Sequence, residues 1–475
     1  MNFLDKSRTI AAPGFNRWLV PPAALAVHLS IGQVYAFSVF KNPLLDRFGT
    51  SNTSIAVIFS IAIVMLGLSA AFGGVWMERN GPRKAMAVSA CFWVSGFLVG
   101  ALGVHLGQLW ILYLGYGFLG GIGLGIGYIS PVSTLIKWVP DRPGLATGLA
   151  IMGFGGGALV ASPLTSALFN LYGVEGDFVP TSTIVATMLS LAAIYAVMMT
   201  CGAIVVRVPA PGWRPAGWTP PVKKSAMQTH ANVRARNAVR TPQFYLLWIV
   251  LVTNVTAGIG ILEQAAPMIQ DFFPAIAAGA ATGFVGLLSL ANMGGRFGWS
   301  TLSDAMGRKR TYIMYLGVGA LLYALLAATA GGTVAGFVTI TFVIVSFYGG
   351  GFATIPAYLK DLFGTLEVGA IHGRLLTAWS AAGIAGPLIV NSFLDARTGR
   401  YEGAALYTPS LWVMTGVLAV GFVANLLVRP VDEKHHEPER TADQIEAERR
   451  AAAIAALGAD AVVVPAGEPT PEQEA

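Results

Sequence analysis

The segment Ser300-Thr-Leu-Ser-Asp304-Ala-Met-Gly307-Arg308-Lys309 restates an earlier one, Gly74-Val-Trp-Met-Glu78-Arg-Asn-Gly81-Pro-Arg83-Lys84. The acids Glu78 and Asp304 are 226 residues apart, as are Gly81 and Gly307. Each segment ends an apolar run of about 20 residues, enough to cross a ~30 Å hydrocarbon core. Working outward, a second pair keeps the register: Pro131 and Trp138 recur as Pro356 and Phe363, each 225 residues on. A chain that repeats at this period predicts two parallel halves with a binding site between them, near the membrane midplane.

Composition agrees. The chain has 475 residues, 55% hydrophobic and 11% charged, too little charged surface for a soluble protein of this size. Twelve apolar spans can be read, at 17–40, 54–77, 85–105, 108–135, 143–170, 183–206, 244–270, 280–304, 311–330, 333–358, 370–394 and 407–428. The expected fold is an all-α integral membrane protein of twelve transmembrane helices in two six-helix bundles. Residues 1–16 form an N-terminal segment without a cleavage pattern, so the first span is expected to persist as a helix. Residues 17–206 and 244–428 form the bundles. The linker 207–243 is marked by Pro209, Pro211, Pro215, Pro220 and Pro221. The tail 429–475 is acidic and Ala-rich, predicting a short surface helix around Asp443–Glu448 and then disorder.

The net charge of +6 is an orientation signal. With an even number of spans, 25 of the 30 Lys and Arg residues fall on the side of the two termini. Lys41, Arg47, Arg397 and Arg400 fall on the other side, and Arg296 lies inside a span. That bias predicts both termini in the cytoplasm of a multi-pass cell-membrane protein and argues against a nucleic-acid partner. Cys91 and Cys201 lie in spans and are expected to serve packing. The sequence has no metal-ligand spacing and no nucleophile–base motif, so neither an enzyme, a metal site nor a cofactor is expected.

Arg296 is the residue that points to function. A guanidinium at membrane depth costs at least a few kcal/mol and does not deprotonate. A polar anion-facing cavity, a fixed ion pair, or snorkelling to the interface would each satisfy it. Helical spacing puts Ser289, Asn292 and Arg296 on one face, a cationic, hydrogen-bonding stripe suited to an anion. His28, seven residues before Tyr35, shares its face and is a candidate for proton coupling, against the alternative of a neutral ring satisfying a neighbouring helix. Glu263, toward the outer end of its span, is a second such candidate, with an outer-gate or packing role the stronger reading. His372 and Arg374 open the eleventh span and read as loop charges or as part of an inner gate.

The paired loops resemble the signature of the major facilitator superfamily. That resemblance implies that Gly74, Glu78, Gly81, Arg83, Asp304, Gly307 and Arg308 form conformation-dependent contacts at the cytoplasmic face. Gly32-Gln33-Val34-Tyr35 in span 1 and Gly125-Ile126-Gly127-Tyr128 in span 4 narrow the likeness, together with the run Lys137–Gly148 and Gly153-Phe154-Gly155-Gly156-Gly157. These resemble the oxalate/formate antiporter family, which includes bacterial monocarboxylate carriers, over residues 17–428. The resemblance implies a secondary transporter of small carboxylates working as a monomer by alternating access, with proton symport or anion exchange. It implies a substrate site of Arg296, Tyr35, Tyr128, Tyr348 and Phe352, to which helical spacing adds Asn292 on the Arg296 face. Oxalate carriers place a lysine in span 11 where Leu376-Thr377-Ala378-Trp379-Ser380 has Trp379. One cation matches a monoanion better than a dianion, so lactate-, pyruvate- or formate-type substrates are expected. Oxalate-for-formate exchange is the alternative, and a carboxylate sensor that does not transport is the weaker one. The glycines of span 5 allow close helix approach and sliding, and for most of them plain helix packing is the expected role.

Overall fold

The computed structural model describes residues 3–50, 52–174, 178–215, 217, 229, 231–276, 278–329, 332–397 and 399–438. The helix expected around Asp443–Glu448 lies outside them, as do Pro220 and Pro221. Among the described residues the chain is almost wholly helical, and an isolated parallel bridge joins Ile10 to Val208.

The twelve expected spans appear as twelve long helical elements among those residues. They are α1 (Val20–Ile31, tightening to a 3-10 turn at Gly32–Ala36 and resuming at Ser38–Phe48), α2 (Asn52–Asn80), α3 (Pro82–Leu106) and α4 (Leu109–Trp138). Then come α5 (Pro143–Tyr172), α6 (Thr181–Val205), α7 (Pro242–Phe272), α8 (Ala278–Met306) and α9 (Arg308–Thr329). The last are α10 (Val334–Phe363), α11 (Val368–Leu375, broken at Leu376 and resuming at Thr377–Arg397) and α12 (Thr408–Leu427). The apolar runs set the spans and local chemistry sets the ends. Pro82, Pro143 and Pro242 open helices, where a missing N–H costs nothing. Gly81 and Gly307 stand at φ 89° and 85°, the left-handed turn that the repeated loops need and a side chain would strain.

Four interruptions among the described residues were not in the hydropathy pattern: the 3-10 turn in α1, the break in α11, and π-helical stretches at Tyr113–Leu119 in α4 and Met314–Val318 in α9. The first brings Tyr35, and the second Trp379, to the same aromatic cluster around Phe154.

The first six helices meet the last six along two seams, α2 against α11 and α5 against α8 and α10. Small residues let backbones approach: a Cβ on Gly74 would sit 2.7 Å from Ala370 Cα. Cys91 and Cys201 are both free and exposed, so they face away from the packed interior. The expected packing role is corrected: these thiols sit on outward helix faces.

At the end of the bundle where residues 3–16 and 429–438 lie, the linker is stitched to each half separately. Ala11 N donates to Val208 O (2.9 Å), Val208 N to Thr9 O (2.8 Å), and Trp138 Nε1 to Arg207 O (2.7 Å). On the other half, Val233 N donates to Phe363 O (2.9 Å), and Asn232 Oδ1 accepts from Thr365 N and Leu366 N.

Candidate functional site

The site is built from α8 outward. Asn292 and Arg296 lie one turn apart, and Arg296 Nε donates to Asn292 Oδ1 at 3.0 Å. Arg296 is fully buried, which excludes snorkelling. Among the described residues no carboxylate pairs with it, which excludes a fixed ion pair. Its guanidinium lies between two rings, 5.1 Å from Phe352 and 5.8 Å from Phe154. A desolvated cation–π contact contributes about 2 kcal/mol. Both terminal nitrogens, Nη1 and Nη2, have no hydrogen-bond partner.

Glycine contacts bring the remaining walls in. A Cβ on Gly295 would collide with the backbone of Ser346, and one on Gly349 with that of Asn292, so α8 and α10 lie almost backbone to backbone. That approach carries Tyr348 and Phe352, whose rings meet edge-on at 5.2 Å, to the guanidinium. Across the seam, Tyr35 meets Phe154 at 5.2 Å and Tyr128 meets Phe154 at 5.2 Å. Trp379 completes the box, 4.4 Å from Phe352 and 5.4 Å from both Phe154 and Tyr128. The hydroxyls of Tyr35, Tyr128 and Tyr348 are buried without partners, next to a guanidinium that does not hydrogen-bond to them in good geometry. The cluster therefore presents five donor groups without hydrogen-bond partners, two on the guanidinium and three on phenols. Leaving such a donor buried and unpaired costs about 1–3 kcal/mol.

All seven residues expected to line a substrate site lie in this cluster. Ser289 does not join it, because its hydroxyl turns back to Val285 O at 3.1 Å. Phe154 and Gly155 belong to it and were read only as parts of a packing motif. A Cβ on Gly155 would sit 2.8 Å from both Cδ and Nε of Arg296, so this glycine houses the arginine side chain.

The expected candidates for proton coupling separate. His28 is fully buried beside the cluster, stacked on Tyr128 at 5.3 Å. Glu263 is exposed at the α7–α11 contact, where it accepts from Asn391 Nδ2 at 3.2 Å, outside the aromatic box. His372, expected as a loop charge or an inner-gate group, is instead fully buried with both ring nitrogens unpartnered, 5.9 Å from Tyr128. The loop-charge reading is corrected: the break after Leu375 tucks this first segment of α11 inward.

The repeated loops form two latches between the halves. Glu78 accepts from Ser133 Oγ (2.7 Å), Lys137 Nζ (2.6 Å) and, across the seam, Gly369 N (3.2 Å). Asp304 accepts from Gly144 N (2.8 Å) and Leu145 N (3.0 Å), and pairs with Arg308 on its own side. Each carboxylate thus caps the free amides at the N-terminus of a helix in the opposite half, where the helix dipole favours negative charge. Arg308 also pairs with Asp361 at 3.3 Å. Arg83 takes a different part: it donates to Phe3 O (3.1 Å) and lies 4.4 Å from the Phe3 ring, holding the N-terminal segment. Lys6 in that segment donates to Glu78 O at 2.7 Å. Burial and the neighbouring Lys137 draw its ammonium below the usual lysine range.

The family model described as Major Facilitator Superfamily matches residues 23–387 and 299–466. The oxalate:formate antiporter of Oxalobacter formigenes is 28% identical over 372 residues, covering 78% of this chain and 83% of its own. The apicoplast pyruvate carrier 1 of Toxoplasma gondii is 24% identical over 457 residues, covering 85% and 79%. Among solved structures, the fucose:proton symporter of Escherichia coli superposes with a TM-score of 0.63 at 15% identity, over 87% of this chain and all of that one.

Proposed function

The chain belongs to the Major Facilitator Superfamily, and on that premise we propose that it is a secondary transporter of small monocarboxylates. The carrying observation is the gathering of five unpartnered donors, two on the Arg296 guanidinium and three on neighbouring phenols, beside an aromatic box. A carboxylate supplies the missing acceptors, and the rings of Phe154, Phe352 and Trp379 face its hydrocarbon part. Among the described residues Arg296 is the one permanent cation in the cluster, and one cation neutralises one carboxylate. The likenesses to an oxalate:formate antiporter and a pyruvate carrier support the substrate class.

Transport follows by alternating access between the two six-helix halves, 17–206 and 244–428. The Glu78 and Asp304 latches hold the terminal face closed, and rocking about the seams opens it. The Lys and Arg bias makes that face cytoplasmic, in a cell membrane, and the site is complete within one chain, so a monomer suffices.

The test is reconstitution into proteoliposomes with radiolabelled formate, lactate, pyruvate and oxalate. Accumulation or counterflow of the monoanions, with oxalate a poor competitor, supports the reading. Efficient oxalate exchange would establish the dicarboxylate alternative, and binding without accumulation the sensor.

A further inference from the structure

We propose that His28 is a proton-binding site whose counter-ion is the carboxylate of the substrate, so that one proton travels with each monocarboxylate. The inference rests on the carboxylate reading of Arg296 and adds the coupling ion.

The geometry around the imidazole carries it. Nδ1 of His28 faces the carbonyl oxygen of Ala150 on α5, and Nε2 faces that of Tyr128 on α4 at 3.0 Å. A backbone carbonyl only accepts. A neutral imidazole has one N–H, so it satisfies one contact and sets a lone pair against oxygen at the other. An imidazolium donates to both. The two carbonyls therefore form a cradle for the protonated ring.

Charge opposes that form in the empty site. The elements packed on α1 around His28 are α4, α5 and α6. Here α4 brings the phenol of Tyr128, and α5 carries no titratable side chain from Pro143 to Phe169. On α6, Tyr195 packs on Trp93 and Phe97, and Cys201 is exposed. The same strand of chain adds Tyr35, and the other half adds Arg296 and His372. Among the described residues none of these is an Asp or Glu. A proton on His28 thus meets a neighbouring guanidinium and no anion until a carboxylate arrives.

Phe154 connects the two positions, 6.4 Å edge-on from His28 and 5.8 Å beneath Arg296. A carboxylate on Arg296 cancels the repulsion, raises the proton affinity of His28, and is itself held more tightly by the imidazolium; the linkage is reciprocal. Counting charge, the empty site carries that of Arg296. Anion plus proton restores the same charge to the loaded site. Loaded and empty carriers then reorient with equal charge, and the return step needs no exchange partner.

The experiment uses the full chain and radiolabelled pyruvate in proteoliposomes, comparing accumulation driven by an acid-outside gradient with counterflow at equal pH. For His28→Gln the ratio of gradient-driven accumulation to counterflow should fall at least tenfold, whereas His372→Gln should keep the wild-type ratio. Retention of the ratio by His28→Gln, or its loss in His372→Gln alone, overturns the assignment. A second measurement needs no variant: wild type in lightly buffered detergent solution should take up protons when pyruvate is added. Pyruvate binding without proton uptake overturns the proposal while leaving the Arg296 reading intact. Absence of counterflow with every carboxylate overturns the Arg296 reading itself.

Discussion

Gly155 on α5 and the side chain of Arg296 on α8 occupy one another's space: a Cβ at position 155 would lie 2.8 Å from both Cδ and Nε of the arginine. The guanidinium cannot retreat freely, because Asn292 holds Nε and two rings bracket it. Overpacking of this kind costs about 1–3 kcal/mol. Gly155→Ala should therefore weaken pyruvate binding about tenfold, near 1.4 kcal/mol, with normal insertion and elution profile. Calorimetry on the purified protein reads the effect, and wild-type affinity would show that the guanidinium has slack.

Arg296 itself should be intolerant in a graded way. It lies eight residues before Asp304, about 12 Å along the helix from the terminal face. Arg296→Lys keeps the charge but loses the planar fork and the Asn292 contact, so uptake should drop sharply. Arg296→Gln should nearly abolish uptake while the protein still reaches the membrane. Normal uptake by the glutamine variant would leave Arg296 a structural residue.

On the proposed reading, an indole at position 379 leaves Arg296 as the one permanent cation of the box among the described residues. Trp379→Lys adds a second positive charge to the box and should shift preference from monoanions toward oxalate in a competition assay. Removal of the indole also enlarges the pocket, since Phe352, Phe154 and Tyr128 all rest on it. Trp379→Leu is the control and should lose discrimination by size without gaining oxalate. Identical behaviour of the two variants would refute the charge argument.

The latches should govern which face is open. A hydrogen bond to a charged group contributes about 1.5–3 kcal/mol, so Asp304→Asn or Glu78→Gln should raise the population open at the terminal face about tenfold. The pair should exceed either alone. Spin labels at the exposed positions Arg79 and Arg310, in a background lacking Cys91 and Cys201, report this as growth of a longer-distance population. An unchanged distribution in the double variant would remove the latches from the conformational cycle.

Hydropathy and the repeated loops made the helices legible to within a few residues, because a bilayer imposes length and apolarity on every span. The site was legible to the extent that a charge or phenol in an apolar run is conspicuous, as with Arg296, Tyr35 and Tyr128. Phe154 and Gly155 were hidden because a phenylalanine and a glycine cost nothing in a membrane helix, so no anomaly marks them. His372 was misread because polarity near a span end resembles a loop. Only the break at Leu376, a tertiary feature, turns it inward.

The two latches have an uneven grammar. Each joins a side chain of one half to the main chain of the other, Glu78 to the amide of Gly369 and Asp304 to those of Gly144 and Leu145. A scan of side-chain truncations can delete the carboxylate but never its partner. Such a scan would assign the whole lock to the loops after α2 and α8 and call the starts of α5 and α11 silent. Gly144 and Gly369 are nevertheless constrained, because a Cβ would sit 2.9 Å from Oδ1 of Asp304 at the first and 2.7 Å from Oε1 of Glu78 at the second. Pro143, which fixes where α5 begins, is on this view the unseen half of one latch.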